Sequence, residues 1–290
     1  MIDSVYNKHL PAKRWRCQNL LAFVDHPVHF YSALRLFALS DIHVDFEANR
    51  KWLEGLSRFD YKNDILLLAG DVSDIESLLA WAFEVLSDCF AEVCFVPGNH
   101  DLWVMRSEQS NSFDKLERVL AIAEERRVHT GPVLFGTIGV IPLWGWYDFS
   151  FGKPGDSLKK AWNDFSACRW PEGYTERSLT EHFLSRNVID PPDGAQQLIT
   201  FSHFMPRIDL MPASMPAKRK MIFPVLGSSR LDEQIRSLGS TLHLYGHSHL
   251  NRHLTIDNVT YINNAFGYPH ETLITRKELI SIDLSSSGVS

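Results

Sequence analysis

Cysteine is scarce in this sequence, four residues in 290, and Cys17, Cys89, Cys94 and Cys168 include no CxxC pair. That spacing speaks against a thiolate zinc site, and positions in or beside apolar segments suit the reduced thiols of a cytoplasmic protein. Long apolar runs are also missing. The opening stretch MIDSVYNKHLPAKRWRCQNLL carries an early acid and no secretory h-region, so no membrane partner is expected. Excess positive charge is absent as well: the net charge is -6, and apart from AKRK at 217–220 the basic residues are scattered. Duplex nucleic acid, which needs a basic stripe to neutralise its phosphates, is therefore not an expected partner. There is no internal repeat, and the only low-complexity stretch is SSSGVS at 285–290.

What is present is a chain that is 44% hydrophobic, enough for a sizeable core. A single domain is expected over 34–285, preceded by an N-terminal extension, residues 1–33. NLLAFVDHPVHFY in that extension reads equally as an added strand or as a segment draped over the core. LRLFALS (34–40), DILLLAG (64–70) and EVCFVPG (92–98) are short, apolar on both faces and strand-like. Between the last two lies SDIESLLAWAFEVLSD, a helix with Ile75, Leu78, Leu79 and Leu86 on one face and a capping box of Ser73 and Glu76. SFDKLERVLAIAEERR (112–127) predicts another helix, capped by Ser112. After Gly131 the pattern turns to hairpin-like strands, then LITFS (198–202), a helix ending at Gly239, TLHLYG (241–246) and a hairpin about Asp257-Asn258. Two irregular stretches, 146–176 and 204–227, interrupt the strands and are expected as rim loops.

Five of the apolar runs stop at residues able to hold a metal. LRLFALS is followed by Asp41 and His43, DILLLAG by Asp71, VCFVPG by Asn99 and His100, LITFS by His203, and LHLYG by His247 and His249. Singly, each has an ordinary explanation. Asp after Gly suits a turn, an Asp in D-x-H can cap one, and a lone histidine is more often a hydrogen-bonded core residue. Ligands in open α/β sheets gather outside the carboxyl ends of strands, however, so five such ends can converge on one crevice. The donors are oxygen and nitrogen throughout, which suits Mn, Fe or Zn.

In this order the motifs DIH (41–43), GDVSD (70–74), GNHD (98–101), SH (202–203) and GHSH (246–249) resemble the calcineurin-like metallophosphoesterase superfamily. YINNAFGYPHE, after GHSH, is similar to a segment of its small bacterial members. The resemblance implies a four-layer α/β/β/α sandwich of two mixed sheets, with a dinuclear site at the strand C-terminal ends. It assigns Asp41, His43 and His249 to one metal ion and Asn99, His203 and His247 to the other, with Asp71 shared between ions about 3–4 Å apart. The implied reaction is in-line attack by a metal-bridging hydroxide on a phosphomonoester or phosphodiester. His100 assists the leaving oxygen, Asp74 holds His100, and Asp101 braces the loop. Ile75 and Glu76 stand where the phosphoprotein phosphatases carry Arg-Gly, and purple acid phosphatases have a tyrosine in place of Asp74, so neither branch is favoured. A catalytically silent metal-binding interaction module on the same fold is the alternative. Trp144, Trp146, Tyr147, Phe149 and Arg207 lie in or beside the two irregular stretches. They suggest a small phosphorylated substrate such as a nucleotide, with a phosphopeptide as runner-up.

Overall fold

Short runs of leucine, isoleucine, valine and phenylalanine between polar turns set the strands. The computed structural model describes residues 34–284; the expected extension over 1–33, with Cys17, and residues 285–290 lie outside the described residues. The strands are β1 (Leu36–Leu39), β2 (Ile65–Leu68), β3 (Glu92–Phe95), β4 (Val133–Phe135), β5 (Ile138–Pro142), β6 (Gln197–Ser202), β7 (Leu242–Tyr245), β8 (Arg252–Ile256), β9 (Val259–Asn263) and β10 (Ile280–Ile282). The helices are α1 (Glu47–Glu54), α2 (Glu76–Cys89), α3 (Ser112–Glu125), α4 (Asp156–Ala161), α5 (Asp164–Ala167), α6 (Glu176–Arg186), α7 (Ala217–Lys220) and α8 (Ser229–Ser237). None of them is long and apolar enough to cross a membrane.

One sheet has the order β10-β1-β2-β3, with β1, β2 and β3 parallel and β10 antiparallel at the edge. The other runs β4-β5-β6-β7-β9-β8, with a parallel centre and antiparallel edges. Both are mixed, as expected. Alternation along each strand supplies three cores. Leu36, Ala38, Ile65 and Leu67 face Ile199, Phe201, Leu242 and Leu244 between the sheets. Their neighbours Phe37, Leu39, Leu66 and Leu68 turn outward onto Leu53 of α1, Leu79 and Phe83 of α2, and Val119 of α3. On the far side, Ile141, Tyr245 and Tyr261 pack on Phe183 of α6 and Leu231 and Ile235 of α8. Each buried Leu, Ile, Val or Phe side chain contributes about 1.5–3 kcal/mol, which makes the four layers α/β/β/α a consequence of the pattern. A bridge from Ser40 to Ala265 ties the sheets together at their carboxyl ends.

Two local expectations are corrected. No capping box forms on α2: its cap is Ile75 without a side-chain bond, Ser73 Oγ accepts from the Ile75 amide, and Glu76 is bonded elsewhere. The cap of α3 is Asn111, one residue earlier than Ser112, and its side chain accepts from the Phe113 and Asp114 amides. The hairpin holds, because Asp257 and Asn258 both take the left-handed φ its turn needs, 48° and 65°.

Candidate metal centre

Every parallel strand of both sheets points its carboxyl end the same way, and the residues just beyond those ends meet. His43 Nε2 lies 3.2 Å from His249 Nε2, and His249 Nε2 lies 3.2 Å from Asp41 Oδ1. His203 Nε2 lies 3.0 Å from both Asn99 Oδ1 and His247 Nδ1. Asp71 Oδ2 stands between the groups, 4.0 Å from His43 Nε2 and 3.5 Å from His203 Nε2. Asp41–His43–His249, Asp71–His203–His247 and His43–Asp71–His100 each have ligand atoms within 4.8 Å of one another. All seven expected ligands are buried.

Holding them there strains the backbone. Of the nine described non-glycine residues with left-handed φ, five are Asp41, His43, Asp71, His247 and His249. Side chains other than glycine avoid that region, and such strain concentrates where geometry is needed for function. Gly98 serves by its size rather than by a special φ: a Cβ there would stand 2.1 Å from Asp71 Oδ1. Asp101 braces the loops as expected, its carboxylate accepting from the backbone amides of Asp71, Val72, Ser73 and Gly98 at 2.8–3.0 Å.

The donor set fits cations. His203 donates through Nδ1 to the Ala69 carbonyl (2.9 Å), and His247 through Nε2 to the Val225 carbonyl (2.9 Å). Their inner nitrogens therefore carry lone pairs, which face each other and Asn99 Oδ1 with no proton between them. Buried acceptors pressed together in this way repel unless a positive charge is shared among them. Burial pushes both imidazoles down to about 4, so they stand ready as neutral ligands. Burial likewise pushes Asp71 up, with Asp41 and Asp101 adding to it, a cost that cations would relieve.

Residues outside the five strand-end motifs complete the centre. Glu271 accepts from His249 Nδ1 (2.6 Å) and from the Tyr268 amide (2.7 Å), orienting an expected ligand from its outer side. Tyr268 stacks on His43 at 4.6 Å and puts its hydroxyl 3.4 Å from His100 Nε2. Trp103 stacks on His100 at 3.6 Å. Asp164 accepts from Asn99, Trp103 and Trp162. Sequence signals for these were weak: YPHE follows GHSH within the resembling segment, but nothing in WNDF marks its aspartate.

Four expectations are corrected. Asp74 does not hold His100; its carboxylate is bound by Arg106 Nε at 2.9 Å and by a second guanidinium nitrogen, and Lys115 bonds its carbonyl. Trp146 is 1% exposed and packs on Tyr147, Phe183 and Phe204, so it is core and not rim. Trp144 lies against the Arg186 guanidinium, and Arg207 is taken up by Asp209, Asp232 and Asp257. The stretches 146–176 and 204–227 each reach inward at one point, through Asp164 and through the Val225 carbonyl.

Residues 34–251 match the Calcineurin-like phosphoesterase family. The chain is 25% identical over 264 residues to the acyl-carrier-protein phosphodiesterase PptH of Mycobacterium tuberculosis, covering 81% of this chain and 78% of that one. The crystal structure of the phosphopantetheinyl hydrolase PptH from Mycobacterium tuberculosis superposes with a TM-score of 0.65 at 23% identity, over 82% of this chain and 90% of that one. With candidate ligands at the strand ends, fold and family match in agreement, the chain belongs to the calcineurin-like phosphoesterases, metal-dependent enzymes that hydrolyse phosphoesters.

Proposed function

We propose that the centre holds two transition-metal ions, one at Asp41, His43 and His249 and one at Asn99, His203 and His247, and that it hydrolyses a phosphodiester. The observation that carries this is the position of Asp71, one carboxylate facing both sets at 4.0 and 3.5 Å. When bound, such ions supply Lewis acidity for in-line attack of water on phosphorus. The oxygen and nitrogen donors suit Mn, Fe or Zn. His100, with a side chain 16% exposed against 0–1% for His43 and His203 and 11% for His249, and outside both expected ligand sets, is the imidazole placed to meet substrate, and it hands a proton to the leaving oxygen. Trp103 stacks on its ring and His43 meets it edge-on, and its amide donates to Asp71 Oδ1 at 2.9 Å.

The substrate class we favour is a phosphopantetheinyl diester on a carrier protein, because the similarity to the acyl-carrier-protein phosphodiesterase extends over 81% of the chain. A nucleotide loses its support, since Trp144 and Trp146 are engaged in packing and not free to stack on a base. The test is a panel of phosphopantetheinylated carrier protein, cyclic nucleotides, nucleoside monophosphates and a phosphopeptide, assayed with added Mn and repeated on Asp71→Asn. Release of phosphopantetheine, with two metal ions per chain in the wild type and fewer in the variant, is expected. Turnover confined to monoesters would overturn the diester reading, and unchanged metal content in the variant would overturn the shared carboxylate.

A further inference from the structure

Asp164 sits in the stretch 146–176, at the start of α5, yet the residue is only 3% exposed and its carboxylate lies behind Asn99. Oδ1 accepts from Asn99 Nδ2 at 2.8 Å and from Trp103 Nε1 at 2.7 Å, and Oδ2 accepts from Trp162 Nε1 at 2.7 Å. A buried carboxylate is costly, and three N–H donors from three separate side chains offset that cost. Apolar side chains would fill the same space more cheaply. The arrangement makes sense through what it does to Asn99.

An asparagine amide has two ends of nearly equal size, and only its oxygen can bind a hard cation, since the nitrogen has no available lone pair. Something must choose which end faces the pocket. A carboxylate accepts hydrogen bonds and gives none, so with Asp164 behind it the NH2 group must turn outward. The oxygen then faces inward, 3.0 Å from His203 Nε2. We propose that Asp164 is the positioning residue that fixes the Asn99 amide for metal binding, and that the α4–α5 segment is thereby an integral wall of one half-site. The same carboxylate orients Trp103, which stacks on His100, and Trp162, whose ring meets that of His247 edge-on at 5.8 Å. One side chain thus reaches two expected ligands and the support of the proton donor.

This inference rests on the reading of Asn99 as a ligand, and the experiment separates the two. Mn is titrated by equilibrium dialysis into wild type, Asp164→Asn, and the exchanged pair Asp164→Asn with Asn99→Asp. In the single variant an amide stands behind Asn99 and can present either of its ends, so the choice is lost. One ion should bind as in the wild type and the second about 10–100-fold more weakly. The exchanged pair restores one amide–carboxylate contact and turns a carboxylate oxygen to the pocket, so the second ion should return; a merely structural role for Asp164 would give no such rescue. Two ions held equally well by Asp164→Asn, or a pair that recovers nothing, would overturn the inference while leaving Asn99 a ligand. A wild type that binds fewer than two ions would overturn the ligand reading and this inference with it. Should the single variant be recovered unfolded, the exchanged pair decides alone.

Discussion

At the scale of single residues, the central question is whether His100 acts on metal or on substrate. His43, Asp71 and His100 have ligand spacing, yet the His100 ring is packed against Trp103 and His43 and its hydroxyl neighbour is Tyr268. A group that only donates a proton can be removed without emptying the site. His100→Asn should therefore keep its metal content, measured by elemental analysis, while turnover falls roughly 10²–10⁴-fold. The loss should be smaller for a leaving group of low pKa, which needs less protonation. Metal lost in parallel with activity would make His100 a ligand. The strand-end residues were legible in the sequence because a strand's end fixes where the next two or three side chains can go. Asp164 and Glu271 were not, since each reaches a ligand from a distant loop and no spacing relates it to Asn99 or His249. Asp74 misled for a related reason: its place in GDVSD sets its backbone, whereas Arg106, outside any motif, sets its carboxylate.

Among the elements, the contact between α2 and α3 shows how a local signal can be spent on tertiary structure. Glu76 has the spacing of a capping partner for Ser73, but it accepts instead from Ser107 Oγ (2.9 Å), Lys115 Nζ (3.1 Å) and Arg118 Nε (3.3 Å). Lys115 is fully buried, and its ammonium also donates to the Asp74 carbonyl at 2.9 Å, pinning the loop that follows Asp71. A fully buried lysine cannot be read from sequence, because it occupies a helix position that would ordinarily carry charge to the surface. Lys115→Met keeps the aliphatic stem and leaves that carbonyl without its donor, so urea unfolding should show a loss of about 1–3 kcal/mol. Burial pushes the Glu76 carboxyl up, but Ser107, Lys115 and Arg118 outweigh it and hold it below its usual 4.5. The folded value being the lower one, its stabilisation is complete above pH 4.5 and is lost as pH falls through that folded value. The gap in urea midpoint between wild type and Glu76→Gln should accordingly be constant above that pH and narrow below it; a gap that widened in acid would contradict the clamp.

For the molecule as a whole, the centre lies at the seam of two sheets and draws on both. Asp41, His43, Asp71 and Asn99 follow strands of one sheet, and His203, His247 and His249 follow strands of the other. The seam has its own bonds: the Gly267 amide donates to the Asp41 carbonyl (2.9 Å), the His247 amide to Asp41 Oδ1 (3.0 Å), and Asn264 Nδ2 to the Ala38 carbonyl (2.9 Å). Against them stand five strained residues of the expected ligand set and a group of inward lone pairs without protons. Cations that bind the folded chain and not the unfolded one shift the balance by mass action, about 2.7 kcal/mol for each site at a hundred times its Kd. A chelator should therefore lower the melting temperature, and excess Mn should restore it. The effect has a spatial signature too, because ligands on both sides of the seam lose their common partner together. Hydrogen exchange in chelator should rise at 40–44, 70–72 and 98–100 in the first sheet and also at 203–205 and 246–249 in the second, while strand interiors such as Leu66–Leu68 stay protected. Deprotection confined to one sheet would mean that the ions sit within a single half of the fold, and Asp71 would then have no second partner to bridge.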